Sequence, residues 1–157
     1  MNTVLMAATS CAPSTATAGP AEPRPAAARA RTARTRRTRV LVAEDAPGLH
    51  QLLCLLLEME DDFEVVARAV DGVQTLAAAA AERPDLVVLD LGLPVMSGFD
   101  ALTGLRRLLP DATIVVFSAF EAASYAATAL RRGADAYVEK DAGALEIVQR
   151  LREACRR

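Results

Sequence analysis

The chain has 157 residues, 52% of them hydrophobic and 24% charged, with a formal net charge of -2. That length fits one domain with a sizeable core, and no apolar run approaches the roughly 18 residues of a membrane-spanning helix. Cys11, Cys54 and Cys155 are odd in number and widely spaced, which fits neither a disulfide framework nor a metal-ligand pattern, so a reducing cytoplasm is expected.

The small net charge hides a division. Residues 1–39 carry seven arginines against the single acid Glu22, whereas the remainder carries 11 basic and 19 acidic residues. Residues 1–38 are mainly Ala, Pro, Thr, Ser and Arg. Such a segment buries too little apolar surface to offset its ordering entropy, so it reads as a disordered extension preceding a domain at 39–157. The Arg29-to-Arg39 cluster could touch nucleic acid, but no aromatic residue is interleaved to stack on bases. Met1 to Cys11 lacks the basic start and the long apolar core of a signal peptide.

From Arg39 the pattern changes. Val40-Leu41-Val42-Ala43 predicts a buried strand ending in Glu44-Asp45. Pro47-Gly48 then opens a helix to about Met59, with Leu49, Leu52, Leu53 and Leu56 at core spacing. Phe63–Val70 predicts a second strand, and 72–83 an alanine-rich helix stopped by Pro84. Leu86–Asp90 is four apolar residues running into a carboxylate, the pattern of a strand buried on both faces. A Gly/Pro-punctuated loop and a helix over 99–109 follow, with Leu102, Leu105 and Leu109 inward. Thr113–Phe117 predicts a fourth strand ending in Ser118, then a helix over 122–132 closed by Gly133. Ala136–Val138 is a brief fifth strand leading to Glu139-Lys140-Asp141. The last helix spans 143–155, with Leu145, Val148 and Leu151 on its buried side. Five strands alternating with five helices predict a parallel α/β sheet with helices on both faces.

In such a sheet, chemistry sits beyond the carboxyl ends of the strands. Four of the five strands end in a usable polar group: Glu44-Asp45, Asp90, Ser118 and Lys140. Taken singly, each is most simply a cap, a turn or solvated surface. Together they make a phosphoryl site. Three clustered carboxylates repel one another, and Mg²⁺ relieves that with hard oxygen ligands and room for a phosphate. Lys140 would neutralise another phosphoryl oxygen and Ser118 would supply a hydrogen bond.

These residues carry a resemblance. From Thr38 onward the chain resembles the receiver domain of two-component response regulators, in the acidic-pair strand Arg39–Asp45, the loop Asp90–Gly98, Ser118-Ala119, and Gly133–Asp141. The resemblance implies a flavodoxin-like sheet of order 2-1-3-4-5. It implies that Asp90 accepts a phosphoryl group from a histidine kinase or histidine phosphotransfer protein, with Glu44, Asp45, Asp90 and the carbonyl of Gly92 holding Mg²⁺. Ser118 and Tyr137 would be the switch, Tyr137 rotating inward as Ser118 engages the phosphoryl group. The protein would be a phospho-acceptor assisting its own phosphorylation and dephosphorylation, not an enzyme acting on a separate substrate.

Two positions depart from common receivers. Gly92 offers only backbone beside the acceptor, and Phe120 is bulky. Both are expected to modulate phosphoryl lifetime, Phe120 by restricting water. Gly92 also argues against an aspartyl-intermediate phosphatase, which would want a second acid there. The first helix is apolar most of the way round, which implies either deeper burial or cover by a partner such as the phosphodonor. His50, on the same helix, is read as a surface residue without chemistry. The sequence stops after the fifth helix, so the expectation is a stand-alone receiver with no DNA-binding domain and no membrane contact. It would act on an unknown downstream protein target, with a homodimer possible on phosphorylation. The Gly133-to-Asp141 segment nonetheless looks most like receivers fused to a helix-turn-helix. The rivals are a phosphorylation-independent interaction module and a nucleic-acid binder acting through the arm.

Overall fold

The computed structural model describes residues 36–156. The expected disordered extension lies, up to residue 35, outside the described residues. Ten elements alternate along the chain: β1 (Thr38–Ala43), α1 (Pro47–Glu58), β2 (Phe63–Ala69), α2 (Gly72–Glu82), β3 (Leu86–Leu89), α3 (Gly98–Leu108), β4 (Thr113–Ser118), α4 (Ala122–Arg131), β5 (Ala136–Glu139) and α5 (Ala144–Cys155). The strands form one sheet of order β2-β1-β3-β4-β5, and every pairing is parallel. The fold class and strand order expected from the sequence are those observed.

Successive side chains on a strand point to opposite faces, and this divides the core in two. Leu41, Ala43, Val87, Leu89, Ile114 and Val116 pack with α2, α3 and the one buried side chain of α4. Val40, Val42, Leu86, Val88, Val115 and Phe117 pack with α1 and α5. Because β1, β3 and β4 are covered on both sides, their sequences are continuous apolar runs rather than alternating ones. Gly133 ends α4 with φ 109°, a conformation that costs glycine little and other residues much.

On two helices one residue each departs from the expected buried side, Leu52 on α1 and Leu145 on α5. On α1 the buried side chains are His50, Leu53, Cys54 and Leu57, whereas Leu52, Leu55 and Met59 are exposed. Six consecutive apolar residues, Leu52 to Leu57, fit several helical phases equally, and packing against β1, β2 and α5 selects one. The surplus apolar surface of α1 is therefore exposed rather than buried deeper. On α5, Leu145 is 86% exposed, while Ile147, Val148, Leu151 and Ala154 are buried. Leu145 stands in the first turn, ahead of the stripe that meets the sheet.

The far end of α5 is tied to the α1–β2 turn by Arg152. Its Nε and Nη2 donate to the two Asp62 carboxylate oxygens at 2.6 and 2.8 Å, Nη2 also reaches Glu60, and the guanidinium lies 5.7 Å from the centroid of the Phe63 ring. Hydrogen bonding to Arg152 holds the Asp62 carboxyl below its ordinary value of 3.8. A depressed carboxylate contributes stability that is present above its unfolded value and lost as pH falls through its folded value. Arg152→Gln is expected to cost about 1 kcal/mol at neutral pH, since the pair is half-exposed and screened. In urea unfolding the gap to wild type should close as pH falls below 3.8. A gap independent of pH would contradict this assignment.

Candidate functional site

Strand register assembles the site. Ala43 pairs with Leu89, so the next residues, Glu44 and Asp90, emerge side by side. Leu89 pairs with Val116 and Ser118 with Glu139, which brings Ser118 and Lys140 to the same edge. The Asp90 amide donates to the Ala43 carbonyl at 2.9 Å and the Lys140 amide to the Ser118 carbonyl at 2.9 Å, so backbone bonds fix the positions of both side chains.

Glu44 is fully buried and Asp90 is 4% exposed, while Asp45 faces solvent. Lys140 Nζ lies 2.7 Å from Glu44 Oε2 and 2.9 Å from Asp90 Oδ2. Burial pushes the Glu44 carboxyl above its ordinary value despite the neighbouring ammonium. For Lys140, burial favours the neutral amine, but hydrogen bonding and charge from Glu44 and Asp90 outweigh it and hold the ammonium above its ordinary value. Glu44 Oε1 accepts the Ala46 amide at 3.2 Å. Glu44 Oε2 is paired with the Lys140 ammonium. Asp90 Oδ1 accepts the Gly92 amide at 3.0 Å.

One carboxylate oxygen from each of Glu44, Asp45 and Asp90 lies within 4.8 Å of the others. Three carboxylates against one ammonium leave two negative charges in a largely desolvated corner. That deficit is the charge of one divalent cation, and the all-oxygen donor set suits a hard one. The residues present fit such an ion.

The loop from Asp90 to Gly98 is held in a tight return. The Gly98 amide donates to the Leu91 carbonyl at 3.2 Å, and the Met96 amide to the Pro94 carbonyl at 2.7 Å. A side chain at Gly98 would place its Cβ 2.1 Å from the Asp90 carbonyl oxygen, so only glycine permits the closure. At Gly92 a Cβ would stand 3.3 Å from Asp90 Oδ2, so glycine leaves that side of the carboxylate open. Val95 holds φ 65° with its side chain 87% exposed, a strained conformation for a β-branched residue.

On the other side of the site, Ser118 is fully buried and its Oγ accepts the Phe120 amide at 3.3 Å. The Tyr137 hydroxyl donates to the Phe120 carbonyl at 2.7 Å, and burial raises the Tyr137 phenol above its ordinary value. The Phe120 ring stacks obliquely on Tyr125, centroids 4.9 Å apart.

Two further residues join the site. His50 is buried, and its Nδ1 lies 2.8 Å from the Glu44 carbonyl oxygen, so it fixes the backbone that carries the acidic pair. The expectation of a surface residue is corrected: the side chain is drawn inward by a loop carbonyl six residues earlier in the chain. Glu139 accepts the Ala122 amide on Oε1 at 2.6 Å, joining β5 to the start of α4. The sequence marks neither contact, because both partners are backbone groups placed by the fold.

Residues 40–152 match the model of the response regulator receiver domain. The chain belongs to the response regulator receiver family. It is 45% identical over 120 residues to the transcriptional regulatory protein KdpE of Mycobacterium tuberculosis, covering 76% of this chain and 52% of that protein. It is 36% identical over 115 residues to the nitrate/nitrite response regulator protein NarL of Escherichia coli, covering 73% and 53%. Among solved structures, the DNA-binding response regulator of the LuxR family from Staphylococcus aureus superposes with a TM-score of 0.70 at 26% identity, over 75% of this chain and 98% of that one.

The chain thus spans about half the length of the curated relatives it matches. This overturns the expectation of a stand-alone receiver without a DNA-binding domain. These relatives are named as transcriptional or nitrate/nitrite response regulators, the matched neighbour is a DNA-binding regulator, and the present chain covers only the receiver part. The expectation rested on where the sequence stops, and a closed receiver core says nothing of what is joined to it. Among the described residues no helix is long and apolar enough to cross a membrane.

The tight return of the receiver loop has a direct test. Gly98→Ala is expected to cost about 3 kcal/mol because the added methyl meets backbone rather than a yielding side chain. Gly48→Ala, with nothing within 4 Å of the added atom, is expected to raise stability by about 0.5 kcal/mol. Equal effects of the two in denaturant unfolding would contradict the loop geometry.

Proposed function

We propose that this receiver accepts a phosphoryl group on Asp90 from the phosphohistidine of a histidine kinase or histidine phosphotransfer protein, in the cytoplasm. The observation that carries the reading is the setting of Asp90: a buried carboxylate at a strand end, held by Lys140 on one oxygen and by the Gly92 amide on the other. In the transfer, an Asp90 oxygen attacks phosphorus, the phosphorus–nitrogen bond breaks, and the imidazole leaves with the electron pair and takes up a proton. Glu44, Asp45, Asp90 and the carbonyl of Gly92 would hold Mg²⁺, which when bound supplies charge neutralisation to the phosphoryl oxygens. The protein acts as an acceptor that aids its own phosphorylation and dephosphorylation, without turnover of a separate substrate.

Lys140 is already oriented toward the acceptor, so its ammonium meets a phosphoryl oxygen with little rearrangement. The Ser118 hydroxyl has a proton free to donate while Oγ still accepts the Phe120 amide. Drawing Ser118 toward the phosphoryl group pulls on Phe120, and inward rotation of Tyr137 breaks its bond to the Phe120 carbonyl. Phosphorylation thus changes the face around α4 and β5. Gly92, which leaves one side of Asp90 open, and Phe120, whose ring is steadied by Tyr125, set the phosphoryl lifetime.

The test is incubation of wild type, Asp90→Asn and Phe120→Ala with Mg²⁺ and a small acyl phosphate, followed by intact mass. The expected result is a single phosphoryl group on wild type, none on Asp90→Asn, and several-fold faster loss from Phe120→Ala. Equal modification of Asp90→Asn, or none of wild type, would overturn the assignment of Asp90. An unchanged decay in Phe120→Ala would remove Phe120 from the account.

A further inference from the structure

The helix that follows Ser118 is held differently from the others. Helix α4 buries a single side chain, Ala129, whereas α1, α3 and α5 each bury four residues and α2 three. Its N-cap residue, Glu121, makes no side-chain capping bond. With so little apolar contact, the position of α4 depends on ties at its ends.

At the start of the helix, those ties come from β5. Tyr137 and Glu139 are two apart on one strand and so lie on the same side of it. The Tyr137 hydroxyl donates to the Phe120 carbonyl, and the Glu139 carboxylate accepts the Ala122 amide at 2.6 Å. A carboxylate at this point satisfies one of the orphan amides of the first turn and opposes the positive end of the helix dipole. Beside that bond lies an open hollow of about 390 Å³ lined by Ala119, Glu121, Glu139, Lys140 and Asp141.

We propose that Glu139 is a positioning residue that holds the start of α4 in the unphosphorylated arrangement and so sets the threshold for switching. The proposal rests on Asp90 being the phosphoryl acceptor. Phe120 and Ala122 are tied to β5 by separate side chains, and both lie within four residues of Ser118. A loop that follows Ser118 toward Asp90 parts from Tyr137 and from Glu139 alike. The Glu139 bond is therefore made in one arrangement and broken in the other. A bond made in only one of two states biases the equilibrium toward that state. Glu139 touches neither Asp90 nor the phosphoryl group; it acts through α4.

The experiment compares wild type, Glu139→Ala and Glu139→Gln in two measurements. Amide hydrogen exchange without ligand reads the tie itself. Exchange of the Ala122 amide is expected to speed up about tenfold in Glu139→Ala, the size of a charge-assisted hydrogen bond, and by less in Glu139→Gln, which keeps an acceptor oxygen. A beryllium fluoride titration with Mg²⁺, followed by backbone amide shifts, reads the threshold. The midpoint is expected to fall several-fold in Glu139→Ala and to return toward wild type in Glu139→Gln. An unchanged Ala122 exchange rate, or a midpoint in Glu139→Ala that is unchanged or raised while wild type responds normally, would overturn the role of Glu139 and leave Asp90 as acceptor intact. A wild type that does not respond to beryllium fluoride would overturn both.

Discussion

A buried Glu44–Lys140–Asp90 ion cluster is the constraint on which the rest of this molecule depends. Taking carboxylates out of water is costly unless they are paired, yet here two buried acids share a single ammonium beside a third, exposed one. A hydrophobic isostere would serve stability as well or better. On the proposed function the cluster is a site left short of positive charge, which would take a divalent cation and a phosphoryl group. The surrounding architecture serves it: parallel register places the strand ends side by side, His50 holds the Glu44 carbonyl, and the return at Gly98 holds Asp90 from behind.

On one side of the cluster the protein is braced, and on the other it is not. The α1 and α5 face is sealed by Leu53, Leu57, Val148 and Leu151, with Arg152 clamping its far end. Opposite Ser118, α4 rests on one buried alanine and a few polar ties from β5. A change of charge at Asp90 will therefore be expressed where the fold resists least. That difference in packing, rather than any special flexibility of the site, directs the response toward α4.

Much of this was legible in the sequence. Runs such as Leu86–Leu89 and Thr113–Phe117 have one physical explanation in an alternating pattern, strands buried on both faces, and the polar residue closing each run lies at the active edge whatever the details of packing. What escaped was set by tertiary contact. The leucines of α1 carry no phase, so which of them met the core depended on neighbours far away in the chain, and Leu57 was chosen over Leu52. Leu145 matched a helical stripe but sits before the helix reaches the sheet. His50 and Glu139 bond to backbone groups, and a backbone group has no letter in the sequence. The reading of the protein as a stand-alone receiver failed for another reason: the receiver core is complete in itself, and its residues do not record whether another domain is joined to it. The curated relatives are about twice the length of the matched part.

The most direct test of the central claim, that the charge deficit around Asp90 is a divalent cation site, is calorimetric titration of Mg²⁺ into the protein and into Glu44→Gln. One saturable site per chain is expected, weakened about tenfold or more when the buried carboxylate becomes an amide. Absence of saturable binding, or equal affinity in the two proteins, would contradict the account.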